Sequence, residues 1–252
     1  MKHLINILFL VLVSGTVLLF FNESPHFKLL LFFIGAAFFL VLSIGVIWLR
    51  ANYFLRAVHK VKTPYVLLSF DDGPNPTTTP KILQTLHEHG IKALFFVIGE
   101  KAEKHPELLL QMKAQGHLIG NHTYTHPPLF ALFSFRRVWE ELHNGNRSIE
   151  QVTGEKPTWF RPPIGYTNPI IARAVKKMGL SVVGWNKRSF DSVIRNPETL
   201  KMRILKLTEP GSIILLHDNL EQTEIMLNAY ILEAKENGTI FADEASINSL
   251  LK

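Results

Sequence analysis

The sequence predicts an α/β fold, an irregular (β/α)7-type barrel preceded by a two-helix transmembrane hairpin. Three observations support this fold class. Residues 4–49 are almost uninterruptedly apolar, which is typical of membrane-spanning segments. After residue 62, short apolar runs alternate with helical patterns about seven times, as in βαβ units that build a parallel sheet. Several of these runs end in polar residues, and the strand ends are where a parallel barrel carries its active site.

The apolar region divides into two predicted helices, at about 4–21 and 29–49. Each is long enough to span a membrane, and the second carries no charge. The seven residues between them, 22–28, include Pro25 and allow only a tight hairpin. A signal peptide is the competing interpretation of the first helix. It is disfavoured because no small-residue cleavage site follows the helix and a second span does.

Residues 1–61 are therefore predicted to be a membrane anchor in contact with lipid. The chain has a net charge of +6, and four of its basic residues follow the second span: Arg50, Arg56, Lys60 and Lys62. With Lys2 at the other end, the positive-inside rule places both ends of a two-pass protein on the cytoplasmic side of a bacterial-type inner membrane. No basic helix with interleaved aromatic residues is present, so nucleic acid is not a predicted partner.

Residues 62–252 are predicted to form one catalytic domain, because no low-complexity linker divides them. The predicted strands are 65–70, 93–98, 118–120, 158–161, 181–185, 212–216 and 239–242. The predicted helices are 80–89, 107–115, 135–152, 169–178, 197–207 and 221–236, and several of them are followed by a glycine that can end a helix. The chain contains no cysteine, which excludes disulfides, thiolate metal sites and a cysteine nucleophile.

Candidate functional residues follow the predicted strands: Asp71, Asp72, His122, Arg161, Asp191 and His217. Adjacent carboxylates such as Asp71 and Asp72 repel, so both stay ionised only beside a cation or separate partners. Their simpler interpretation is a turn before Gly73. His122 and His126, four residues apart, could meet one ion and complete an Asp-His-His set with open positions. The remaining histidines of the domain's helical regions are predicted to be surface residues: His87, His89, His105, His117 and His143.

Two further strand ends add groups for proton transfer. Arg161 can pair with a carboxylate. His217 ends a fully apolar strand, where it is badly placed for packing and well placed to move protons near neutral pH.

These motifs together resemble the polysaccharide deacetylases, the NodB-type domain of carbohydrate esterase family four. The resemblance covers about 190 residues and rests on five ordered segments. They are Ser-Phe-Asp-Asp-Gly-Pro at 69–74, His-Thr-Tyr-Thr-His at 122–126, Arg-Pro-Pro-Ile-Gly at 161–165, residues 185–191, and Leu-Leu-His at 215–217. It implies an irregular (β/α) barrel with fewer than eight strands.

The resemblance also implies site roles. One divalent metal ion would be held by Asp72, His122 and His126; zinc suits this set, and cobalt or nickel would also fit. The substrate-binding residues would be Pro163, Ile164, Gly165, Tyr166, Trp185 and Leu215.

The remaining implied roles concern proton transfer. Asp71 would be the general base, oriented by Arg161, and His217 would be the general acid, partnered by Asp191. The sequence departs from the family at Ile164, where an aromatic residue is usual, and at Ser192, where tryptophan is often found. These departures leave the ligand set intact and affect the sugar pocket.

The function that the resemblance implies is removal of N-acetyl groups from saccharides that contain N-acetylglucosamine, such as peptidoglycan or chitooligosaccharide. Such a cell-wall substrate lies outside the cytoplasm, in tension with the charge rule. An alternative that the charge rule favours is a deacylase or deformylase of a lipid-linked sugar on the cytoplasmic face. A non-catalytic saccharide-binding relic is disfavoured because no key residue is lost. A serine hydrolase is disfavoured because no Gly-x-Ser-x-Gly motif is present. O-deacetylation stays open.

Overall fold

Two long apolar helices form the N-terminal part of the computed structural model, which describes residues 2–251. They are α1, Lys2–Phe20, and α2, Phe27–Ile47, and they pack against each other. Most of their large apolar side chains face outward, and both helices are long and apolar enough to cross a membrane. The two predicted helices are therefore confirmed, with each end shifted by one or two residues.

The helical hairpin contacts the rest of the chain through its end near residue 46. The Thr167 N–H donates to the Val46 carbonyl at 3.0 Å. Tyr53 packs so closely on Gly45 that a Cβ atom there would clash with its ring. The hydroxyl of Tyr53 accepts a hydrogen bond of 2.7 Å from Asn6 Nδ2 in the first helix. These contacts join both helices of the hairpin to the domain that follows.

The domain is built on a single sheet of nine parallel strands. They are β1 Ala57–Val58, β2 Tyr65–Gly73, β3 Leu94–Val97, β4 Leu118–Asn121, β5 Trp159–Phe160, β6 Ser181–Val183, β7 Lys187–Arg188, β8 Ile213–His217 and β9 Ile240–Phe241. The order is β1-β6-β5-β4-β3-β2-β8-β7, and β9 also pairs with β2. Within residues 2–251 the end strands β1 and β7 do not pair. The predicted parallel barrel-type fold is thus confirmed, in the form of a curled half-barrel whose end strands stay apart among the described residues.

Seven α-helices follow the hairpin within residues 2–251. They are α3 Thr79–Glu88, α4 Gly99–Lys104, α5 Pro106–Ala114, α6 Phe135–Thr153, α7 Pro169–Met178, α8 Pro197–Leu207 and α9 Glu221–Glu236. The last three coincide with the predicted ranges. Three elements were not predicted, namely β1, β7 and α4, because two-residue strands and a six-residue polar helix carry too little periodicity to be recognised. The first strand precedes residue 62, and the domain boundary at that residue stays a prediction.

Both faces of the sheet are covered, as a parallel sheet requires. Leu68 and Phe70 of β2 pack with α3, α5, α8 and α9 on the outer face. The intervening Leu67 packs inside the curl, together with Phe96 of β3 and Ile247 near the C-terminus. This alternation along one strand explains why the strands are continuously apolar until their last residues.

His117 contradicts its predicted surface position. It is 6% exposed, and its Nδ1 accepts a hydrogen bond of 3.1 Å from the Ala93 N–H at the start of β3. Burial, with the nearby Lys92 charge, lowers the pKa of His117 to about 3. The prediction was wrong because the turn at Gly116 directs this side chain back towards the sheet.

Candidate metal centre and active site

Asp71 and Asp72 lie at the end of β2, which extends three residues beyond its predicted end. Asp71 is in register with Phe96 on β3 and with His217 on β8. The register with β3 then shifts, and Asp72 has a left-handed backbone with φ of 70°. A bulge of this kind redirects a side chain. The two neighbouring carboxylates can therefore face different partners, which relieves the repulsion between them.

Asp72 faces two histidines. Its Oδ1 lies 3.4 Å from His122 Nε2 and 3.4 Å from His126 Nε2, and the three candidate ligand atoms all lie within 4.8 Å of one another. This buried Oδ1 accepts no hydrogen bond from any described residue. A buried carboxylate oxygen without a donor is costly, whereas a cation between it and two imidazole nitrogens would satisfy it. The arrangement fits a divalent metal ion.

The orientation of His122 also fits a metal ligand. Its Nδ1 lies 2.8 Å from the Arg161 carbonyl oxygen, which can only accept, so Nδ1 carries the proton. The lone pair of Nε2 then points towards Asp72. A second hydrogen bond that sets the tautomer in this way is a regular feature of histidine metal ligands.

The charges of this cluster favour an ionised carboxylate. Burial acts to raise the pKa of Asp72, but the neighbouring imidazoles of His122 and His126 outweigh it and hold this pKa below its usual range. Burial likewise opposes charge on His122, whose pKa is nevertheless raised by Asp71 and Asp72. For His126, burial and the neighbouring His122 lower the pKa. An anionic oxygen beside two imidazoles is a donor set typical of open metal sites.

Glu141 on α6 holds the loop between the two histidines, and the sequence analysis did not identify it. Its Oε2 accepts from the Tyr124 N–H at 3.0 Å and the Thr125 N–H at 2.9 Å. The loop needs this support because His126 has a left-handed backbone with φ of 53°. No local signal marks Glu141, which lies 15 residues after His126.

Arg161 follows β5 and is fully buried beneath Asp71. Its Nη1 donates to Asp71 Oδ1 at 2.7 Å and to Ser69 Oγ at 3.0 Å. Its Nε donates to the Val183 carbonyl, and its Nη2 donates to the Gly184 carbonyl. Burial lowers the pKa of Arg161, and Asp71 opposes that effect. The guanidinium group therefore fixes one oxygen of Asp71.

His217 at the end of β8 is paired with Asp191. The two side chains meet at 2.8 Å between Nδ1 and Oδ1, and the His217 N–H donates to Asp191 Oδ2 at 2.7 Å. Burial acts to lower the pKa of His217, but Asp191 outweighs it and raises this pKa to about 9. Thr223 Oγ1 and Gln222 Nε2 on α9 donate to Asp191 as well, and the sequence analysis missed both.

The predicted substrate-binding residues lie in and just after the turn Pro163–Gly165, at Trp185, and within β8. The turn Pro163–Gly165 brings Ile164 to the surface with a left-handed backbone, φ 62°. Gly165 packs on the Trp185 ring and has no room for a Cβ atom. Tyr166 follows the turn and is half-buried. Leu215 lies within β8, is 3% exposed and is in register with Ser69. The substrate contacts of all these residues stay predictions.

The chain is similar to known proteins over most of its length after the hairpin. The family model described as polysaccharide deacetylase matches residues 59–183. A chitooligosaccharide deacetylase of Sinorhizobium fredii is 38% identical over 175 residues, which are 68% of this chain and 81% of that protein. A peptidoglycan-N-acetylglucosamine deacetylase of Listeria monocytogenes is 31% identical over 200 residues, 79% of this chain. The chain spans only 42% of the Listeria protein.

A solved structure from Bacillus anthracis, described as a CE4 family pseudoenzyme, has the same fold. It superposes with a TM-score of 0.68 at 27% sequence identity, covering 75% of this chain and 65% of that one. The family fold therefore also occurs in a protein described as a pseudoenzyme, so the fold alone does not establish activity.

Proposed function

The chain belongs to the polysaccharide deacetylase family, and from that premise we propose that it is a metal-dependent amide hydrolase acting on N-acetylglucosamine-containing saccharides. Two relatives are named for deacetylation of chitooligosaccharide and of peptidoglycan N-acetylglucosamine. The observation that carries the proposal is the pair of carboxylates at the end of β2. Asp72 faces two histidines, whereas Asp71 is held by Arg161. One strand end thus offers both a metal ligand and a proton acceptor.

The metal site would consist of Asp72, His122 and His126. A divalent cation bound there supplies Lewis acidity towards the acetamide carbonyl and lowers the pKa of water. Zinc suits this donor set, and cobalt or nickel also fits.

Asp71 would accept the proton of the attacking water. Arg161 occupies Oδ1 of Asp71, which leaves Oδ2 as the basic atom, 3.8 Å from His122 Nε2. The water oxygen bonds to the acetamide carbon while its proton moves to Asp71 Oδ2. A positioned base of this kind contributes roughly 10²–10⁴-fold to the rate.

His217 would protonate the departing amine as the carbon–nitrogen bond breaks. Its Nδ1 is engaged by Asp191, so the proton given to the amine is the one on Nε2. The raised pKa of about 9 keeps that proton in place at neutral pH. The products are acetate and the free amino sugar.

The turn Pro163–Gly165 would supply one N–H group for the developing oxyanion. The Gly165 and Tyr166 N–H groups already donate to the Pro162 and Pro163 carbonyls, and proline has no N–H. We therefore assign the oxyanion contact to the Ile164 N–H, a backbone group that the substitution of the usual aromatic side chain does not remove.

We further propose that the hairpin of α1 and α2 anchors this hydrolase in the membrane as a two-pass protein, rather than being removed as a signal sequence. The hydrogen bond from Thr167 to Val46 and the packing of Tyr53 on Gly45 support this proposal, because they make the hairpin part of the folded domain.

The test is acetate release from chitotetraose by the purified full chain. We expect release with bound zinc, loss of release after treatment with a chelator, and recovery when zinc is returned. A protein that binds chitotetraose and releases no acetate with zinc bound would instead be the saccharide-binding relic. Release that persists fully after metal removal would contradict the metal-dependent mechanism.

A further inference from the structure

We propose that a cavity between the membrane hairpin and the active-site turn binds a phosphate group that joins the acylated amino sugar to a membrane lipid. The proposal rests on the proposed function and names its substrate class. The cavity, of about 590 Å³, is called here the junction cavity. Its lining includes Trp48, Arg50, Ile164, Tyr166, Trp185 and Arg188.

The junction cavity borders the active-site turn, since Ile164 and Gly165 line it. Trp185, in its wall, packs on Gly165 of the active-site turn. The Arg161 guanidinium carbon lies 5.5 Å from the Trp185 ring centre, and the same guanidinium group holds Asp71. A sugar ring stacked on Trp185 would therefore lie one side chain away from the general base.

The cavity contains the two chemistries that a phosphorylated sugar needs. Trp48, Tyr166 and Trp185 offer aromatic faces for the apolar face of a sugar ring. Arg50 and Arg188 are exposed, and neither pairs with a carboxylate among residues 2–251. Guanidinium groups bind phosphate oxygens through two parallel hydrogen bonds. A neutral chitin-like chain has no group that would use two such arginines.

The position of the cavity favours a phosphate carried by a lipid. Trp48 directly follows the last residue of α2 and is 56% exposed, and Arg50 lies two residues further on. Tryptophan at the end of a membrane helix lies at the level of the lipid headgroups. A phosphate between a lipid chain and a sugar would occupy the same level, with the sugar extending towards Trp185.

Leu129 and Leu132 are exposed apolar residues at the same end of the domain. Leu132 is 79% exposed. It follows Ala131, whose carbonyl accepts a hydrogen bond of 2.6 Å from Asn168. The neighbouring Thr167 bonds to Val46 of α2 at 3.0 Å. Exposed apolar side chains this close to a membrane helix are typical of a surface that contacts lipid. The active-site turn would then open at the membrane surface rather than towards bulk solvent.

The experiment uses the full chain, loaded with zinc, in phosphatidylcholine vesicles. Three probes are compared: N-acetylglucosamine joined through a phosphate to a long isoprenoid chain in the vesicle, soluble N-acetylglucosamine 1-phosphate, and chitotetraose. The variants are Arg50→Gln and Arg188→Gln, singly and together. Arg147→Gln is the matched control, because Arg147 is exposed on α6 and does not line the cavity. Metal content verifies that each variant is folded.

We expect each cavity variant to raise KM for the isoprenoid-linked sugar about tenfold, as loss of a charged hydrogen bond does. The rise in KM for chitotetraose should be much smaller. Arg147→Gln should leave the KM for all three probes unchanged. An equal rise in KM for the isoprenoid-linked sugar and for chitotetraose would overturn the proposal. An equal KM of the unchanged protein for soluble N-acetylglucosamine 1-phosphate and for the isoprenoid-linked sugar would overturn the lipid part of the proposal.

A binding measurement separates this proposal from the proposed function. Retention of the isoprenoid-linked sugar by the immobilised full chain is measured without turnover. Retention that depends on Arg50 and Arg188 supports the junction cavity even if no acetate is released, a result that would contradict only the hydrolase. Retention unchanged in the double variant would overturn the cavity while the hydrolase stands on chitotetraose cleavage.

Discussion

Arg161 donates to Asp71 at 2.7 Å from a fully buried position, so the proposed general base has its ion-pair partner in the core of the domain. The same guanidinium group also bonds to the Val183 and Gly184 carbonyls. It therefore connects the end of β2 to the end of β6. The pair should therefore stabilise the folded domain, and it leaves Oδ2 as the free oxygen of Asp71.

Replacing Arg161 by Met should lower the free energy of unfolding by about 3–5 kcal/mol, because the buried Asp71 carboxylate would lose its partner. Arg136→Met is the matched control. Arg136 forms an exposed pair with Glu140, and such pairs contribute about 1 kcal/mol or less. Urea denaturation of the full chain measures both values. Similar small losses in the two variants would contradict the structural role of the ion pair.

The pair of His217 and Asp191 should determine the alkaline limit of activity. The raised pKa means that His217 is protonated below about pH 9 and loses its proton above it. Acetate release should therefore fall above about pH 9. In Asp191→Asn the carboxylate charge is removed, so the alkaline limit should move to lower pH by about 1–3 units.

The pH profile of Thr223→Val is the control for this prediction. Thr223 donates to Asp191 Oδ2, so its loss leaves the carboxylate charge in place and should move the limit much less. An alkaline limit that stays unchanged in Asp191→Asn would contradict the assignment of His217 as the general acid.

Removal of one histidine should release the metal ion. His126→Ala deletes one of the three proposed ligands, and we expect the purified protein to retain little zinc by elemental analysis. His105→Ala is the matched control, since His105 contacts Glu107 and lies outside the cluster. Full zinc content in His126→Ala would contradict the metal site.

The fold was predictable where local signals mark the ends of elements. Helix α7 was predicted with both ends correct, because the Asn168 side chain caps its first turn and Gly179 ends it with φ of 69°. The strands that carry Asp71 and His217 were predictable from uninterrupted apolar runs, although β2 extends three residues beyond its predicted end. These signals lie within a few residues of the feature that they mark.

The contacts that complete the site were not predictable, because they join distant parts of the chain. Glu141 supports the histidine loop from a helix, and Thr223 reaches Asp191 from 32 residues away. The approach of Trp48 to the active-site turn depends on how α2 meets the domain. Sequence periodicity indicates which residues are buried, but it does not indicate which distant side chains meet.

The orientation in the membrane can be tested with reporters fused to the C-terminus of the full chain. The basic residues after α2 predict that the domain lies in the cytoplasm. A reporter that is active only in the cytoplasm should therefore work, and alkaline phosphatase, which needs the periplasm, should not. The opposite pattern would contradict the charge rule here and would place the site on the side of the cell wall.

In the proposed mechanism Asp71 acts as the base while Asp72 and the two histidines hold the metal. Asp71→Asn tests it most directly, since asparagine can still accept from Arg161 but cannot take the proton of water. Zinc content and acetate release from chitotetraose are measured on the same sample. We predict full zinc content with release reduced roughly 10²–10⁴-fold. Unchanged release, or release lost together with the zinc, would contradict the assignment.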